Sequence, residues 1–264
     1  LSNGVRVHYR SMDKREDNAS VTVTAAGGQI FETAENRGIT DVAALAFSRP
    51  ATRGLTSTNI RDLMTGKKVG VGGGATGDAM TLSISGNPAD LESGLQLAHL
   101  LLTEPVVEEA VVEQWREGQR QRIEAMKNQP IAQLMNILPE LISPEGEVRL
   151  SPVSLDRVEA ITVDEAQRWL DETLAAAPIE VSIVGDIDQE TAFDLAERYF
   201  GSLPERERIS STTLDSYRDI ARPEGPLEAS SYIETQTPVA IAIAGSFGPD
   251  ASNTRDVRLV QFAT

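Results

Sequence analysis

Cysteine is absent from this 264-residue chain and histidine occurs only twice. Without a thiol there is no disulfide, no CxxC zinc ribbon and no cysteine nucleophile. No apolar run approaches the ~20 residues that a membrane-spanning helix needs. The longest, LQLAHLLL (95–102), has the size of a core segment. Positive charge is scarce: 24 Lys+Arg against 40 Asp+Glu leave a net charge of −16. Such a surface repels nucleic-acid phosphates and anionic lipid heads, which argues against both as partners. The chain opens on Leu1, with no methionine and no signal-like stretch, as expected of a piece cut or processed from a longer protein.

What is present is globular: 40% hydrophobic residues can bury a sizeable interior, and the length suggests about two domains. GVRVHYR (4–10) alternates Val5, Val7 and Tyr9 with Arg6, His8 and Arg10, the period of a half-buried strand. SVTVTAAGG (20–28) is a second strand, and the two look like an antiparallel pair with one wet face. A helix from about Gly38 aligns Ile39, Val42, Ala43 and Ala46 in one apolar stripe. Residues 56–66 read as a short hydroxyl-capped helix, 67–86 as two strands around a glycine-rich bend, and 87–105 and 108–127 as helices. Thr162 and Glu165 have capping-box spacing at the head of another helix. PIEVSIVGDID (178–188) is a buried strand, and QETAFDLAERYFGSLP (189–204) a helix stopped by Gly201. The expected organisation is one α+β domain over 1–222, mostly antiparallel sheet with helices on one face. Residues 223–264 are expected to form the first strand and helix of a second, truncated domain.

No self-sufficient catalytic constellation emerges. VGVGGGATG (69–77) runs into another strand, so Gly70, Gly72 and Gly73 lack the helix a dinucleotide fingerprint requires, and Lys67 is followed by Lys68 instead of a hydroxyl residue. His8 reads as a surface residue and His99 as a partly buried, satisfied one; catalytic zinc needs three converging ligands. Ser83 and Ser85 lack a nucleophile elbow and read as strand residues. The pairs Glu108/Glu109 and Glu113/Glu117 read as the solvated face of a long helix.

The ordered set of LSNGVRV, VTVTAAGGQIFETAENRGITDVAALAF, the P-x-D-L helix (88–91), EEAVVEQWREGQRQRIEAMKNQP and VGDID…YFGSLP resembles the pitrilysin (insulinase-type) zinc metallopeptidases over nearly the whole chain. In that family the N-R-G-I turn leads into a helix bearing H-x-x-E-H, where two histidines bind zinc and the glutamate activates water. On this chain those positions fall at Asp41, Ala44 and Leu45. The resemblance therefore implies a degenerate motif, with no catalytic, cofactor-binding or metal-binding residue in this piece. It implies the non-catalytic domain that opens the second half of such a protein.

Two functions follow as expectations. The first is a non-catalytic half-fragment of a bacterial zinc endopeptidase, walling the peptide-enclosing chamber and supporting a zinc-bearing half, which would carry the metal; the partners are that half, in the same protein or as a partner subunit, and a peptide substrate. The alternative is a catalytically silent scaffold like the core subunits of respiratory complexes. A peptidase acting through some other ligand set in this piece is a third, weaker reading. Compartment stays open, with periplasm or cell envelope as the working expectation.

Overall fold

The computed structural model describes residues 1–12, 16–141, 147, 149 and 151–218. The second domain expected over 223–264 lies outside the described residues. In chain order the elements are β1 (Arg6–Ser11), β2 (Ala19–Ala26), a 3-10 turn (Gln29–Phe31), α1 (Ile39–Ala43), α2 (Leu45–Ser48), α3 (Ser57–Met64), β3 (Val69–Ala75), β4 (Ala79–Gly86), α4 (Pro88–Thr103), α5 (Glu109–Met126), α6 (Pro130–Leu141), α7 (Leu155–Ala160), α8 (Val163–Ala176), β5 (Ile179–Gly185), α9 (Gln189–Phe200) and α10 (Ser211–Arg218).

The five strands form one sheet in the order β1-β5-β2-β4-β3, in which only β1 and β5 run parallel. The expected mostly antiparallel α+β architecture is thus the observed one. Val21, Val23 and Ala25 of β2, Met80, Leu82 and Ile84 of β4, and Ile179, Val181 and Ile183 of β5 alternate into the core. There they meet Leu91, Leu95 and Ala98 of α4, Leu170 of α8 and Phe200 of α9. The opposite face carries small polar side chains in register, with Thr22 beside Ser83 and Ser20 beside Ser85.

One pairing differs from expectation. β1 and β2 are antiparallel in sense but not adjacent, because β5 lies between them, parallel to β1 and antiparallel to β2. A strand that buries three β-branched residues gains most with a neighbour on each side. The connection from β1 to β2 needs only to cross two strand spacings, roughly 10 Å.

Local signals act where they stand. Thr56, Asn87 and Asp188 each cap a helix through a side-chain oxygen. Thr162 and Glu165 form a complete capping box at α8. Gly66 takes the left-handed conformation just past α3. Gly201 follows α9 but keeps right-handed geometry, so it stops that helix without the left-handed turn common at such a glycine.

Candidate functional site

The stretch that would carry a metal motif begins at a turn and not at an ordinary cap. Gly38 sits at φ 91°, and a Cβ there would lie 2.9 Å from Val153, so glycine is required on both conformational and steric grounds. No side chain of the turn caps α1. The first free amides are instead taken by Glu32 from upstream: Oε2 accepts from Gly38 N at 3.0 Å and Oε1 from Thr40 N at 3.0 Å. Glu32 is wholly buried and forms an ion pair with Arg37. Arg37 in turn donates through Nε and Nη2 to the Ser151 carbonyl at 3.1 and 2.7 Å. A buried carboxylate at a helix N-terminus with a guanidinium beside it is satisfied on both oxygens, which is what burial of a charge demands.

The apolar stripe of Ile39, Val42, Ala43 and Ala46 is buried as expected, yet the helix is not continuous. It breaks at Ala44, where ψ relaxes to −11°, and restarts as α2. Asp41 stands in the first turn, partly buried. Burial, and next the negative charge of Glu32, push its carboxyl above the ordinary 3.8; Arg37, Arg122 of α5 and a hydrogen bond from Gln29 partly offset this. Ala44 is buried and Leu45 packs against the core.

This donor set does not fit zinc. One carboxylate, a methyl group and an isobutyl group replace two imidazoles and a carboxylate, and the nearby cations, Arg37 and Arg122, repel a metal ion. Among the described residues no group of three His, Cys, Asp or Glu side chains is placed to hold a metal.

The other candidates are scattered. His8 is exposed, 3.4 Å from Glu180. His99 is half-buried and satisfied, its Nδ1–H donating to the Tyr199 carbonyl at 2.8 Å. Ser83 and Ser85 lie on β4, and the glycine-rich stretch is the β3–β4 hairpin. Glu113 and Glu117 pair with Arg116 and Arg120 along α5. Glu108 does more than face solvent, since its Oε1 accepts from Ser57 N at 3.2 Å at the start of α3. Besides Glu32 and Arg37, the buried polar residues Asn3 and Arg206 escaped the sequence reading. Asn3 donates to the Phe200 and Leu203 carbonyls at 2.7 and 2.9 Å. Arg206 donates to the carbonyls of Leu174 and Ala177 and so closes the end of α8. Neither carries a spacing that announces it; the only signal is a charged residue in ERER (205–208) opposite an otherwise unsatisfied helix end.

Residues 160–263 match the family model described as the Peptidase M16 inactive domain. No curated protein sequence matches the chain. Among solved structures, the periplasmic protease PqqL from Escherichia coli aligns with a TM-score of 0.69 at 19% identity, over 87% of this chain and 24% of that one. A peptidase M16 inactive domain from Pseudomonas fluorescens aligns at 0.66 and 16% identity, over 80% of this chain and 51% of that one. The first half of PqqL aligns at 0.63 and 14% identity, over 80% of this chain and 47% of that one. The chain thus spans about a quarter to a half of the length of these relatives.

Proposed function

On a chain that has the fold of the M16, pitrilysin-like peptidases and a segment matched by their inactive-domain model, we propose that this piece is the non-catalytic wall of a zinc endopeptidase. It encloses peptide, pairs with a zinc-bearing half and leaves the metal and the hydrolysis to that half. The observation that carries this reading is the start of α1. The turn and apolar stripe are kept, at the expense of burying a Glu32–Arg37 ion pair, while the motif positions hold Asp41, Ala44 and Leu45. The fold needs the helix; the chemistry resides elsewhere.

Two measurements test it. Residues 1–264, purified and loaded with equimolar zinc, retain none after gel filtration; stoichiometric zinc held by this chain overturns the proposal. The adjoining half, assayed on a fluorogenic peptide, gains hydrolysis when this chain is added. If that half has no H-x-x-E-H and no activity with or without this chain, the silent-scaffold reading replaces the peptidase.

A further inference from the structure

Arg206 is built into the domain without a counter-ion. It is only 6% exposed, and among the described residues it pairs with no carboxylate. Nη1 alone is engaged, on the Leu174 and Ala177 carbonyls at the end of α8. Nε is buried with no partner, and Nη2 has none either, although it is not sealed from solvent as Nε is. Closing α8 thus accounts for one edge of the guanidinium. Nε and Nη2 share another edge of the plane, the fork that takes a carboxylate through two parallel hydrogen bonds. A buried cation with an unbonded fork is costly, and an anion that pairs with it removes that cost.

A second guanidinium stands close by. Arg208, two residues on in ERER (205–208), is exposed and has no partner among the described residues. It lines a hollow of about 310 Å³ whose apolar walls include Ala26, Pro178, Ile179 and Ile209. Arg206 adjoins this hollow at both of its ends. A Cβ on Gly4, in the lining, would lie 2.4 Å from the Arg206 carbonyl oxygen, and Ala177, whose carbonyl Nη1 holds, precedes Pro178. The other charges in the lining are engaged: Arg6 pairs with Glu180 at 3.0 Å, and Asp78 accepts from the Thr76 hydroxyl at 3.5 Å. The surplus is one guanidinium at the hollow and one beside its wall, in a chain whose net charge is −16.

We propose that Arg206 and Arg208 form a carboxylate site, with the adjoining hollow taking an apolar group carried next to that carboxylate. The ligand class is a peptide's chain terminus or acidic side chain beside a large apolar residue. This deepens the chamber-wall reading and rests on it only for the source of the carboxylate.

The test uses residues 1–264 and acetyl-Ala-Ala-Leu with a free C-terminal carboxylate. Isothermal titration calorimetry gives saturable binding at one site, and the C-terminal amide of the same peptide binds more weakly by about tenfold or more. Arg208→Gln, which removes no bond of the fold, weakens binding of the acid by a similar factor. In proton–nitrogen correlation spectra the Arg206 Nε–H resonance, identified by its loss in Arg206→Lys, moves on titration with the acid and stays still with the amide. A residue that only closes α8 gives no such shift. Where Arg206→Lys does not fold, Arg208→Gln and the amide decide the matter. Acetyl-Leu-Glu-Ala-amide separates the sources: its binding assigns the site to an acidic side chain, binding of the free acid to a chain terminus, and either supports the proposal. The site falls if neither peptide binds, or if acid and amide bind with equal affinity. It falls also if inorganic phosphate displaces the peptide at equal concentration and the apolar residue adds nothing, which would mean an adventitious ion only. If peptide binding is absent while the chain still supports hydrolysis by the zinc-bearing half, the carboxylate site is lost and the proposed role stands.

Discussion

Arg37 and Arg120 each hold carboxylates, but in surroundings that give the pairs opposite value. Arg37 is nearly buried and Glu32 entirely so, and the same Glu32 oxygens take two backbone amides of the α1 turn. Arg120 reaches Glu117 and Glu159 from an exposed position on α5, with all three side chains about half in solvent. Water competes for the exposed pairs and salt screens them. At the α1 turn neither holds, and loss of one partner strands the other. The number of ion pairs therefore says little here about what fixes the structure; their burial says most of it.

The comparison breaks first at Arg37. Arg37→Ala leaves Glu32 charged, buried and unpaired, and unfolding by urea shows a loss of about 3–5 kcal/mol. Asp41→Asn works in the other direction. The carboxyl of Asp41 has a folded-state value above its unfolded 3.8, so its ionised form destabilises the native state at neutral pH. The variant melts higher than the parent at pH 7, and the gap closes as pH falls through the folded-state value towards the unfolded one. A gap that widens on acidification would contradict the burial and Glu32 repulsion assigned to this group. The smallest effect belongs to Arg120→Ala, for which differential scanning calorimetry registers no resolvable change in midpoint at physiological salt.

Much of the fold was legible because it rests on local rules. The stripe of Ile39, Val42, Ala43 and Ala46, the capping box of Thr162 and Glu165, and the strand alternation of Val21, Val23 and Ala25 each lie within one short window. What stayed hidden depends on residues that meet only in space. ETAEN reads as an acidic run, and nothing in it says that Glu32 turns inward to satisfy Gly38 and Thr40. The hairpin-like spacing of β1 and β2 gave no hint that β5 would separate them. At Asp41, Ala44 and Leu45 the sequence shows one carboxylate and two side chains without a donor atom. The proximity of Arg122 to Asp41 was not legible, since it depends on how α5 packs.

The seating of β5 between β1 and β2 has a consequence for biosynthesis. Arg6 faces Glu180 across 174 positions of sequence, so β1 lacks this neighbour until some 174 further residues have been made. At roughly 5–20 residues per second, that leaves an orphaned strand waiting on the order of ten seconds or more after it leaves the ribosome. Contacts this distant also slow the closing of a sheet. A nascent chain in that interval presents β2 with one open side, and an unpaired strand edge of that kind is exposed to aggregation until β5 arrives.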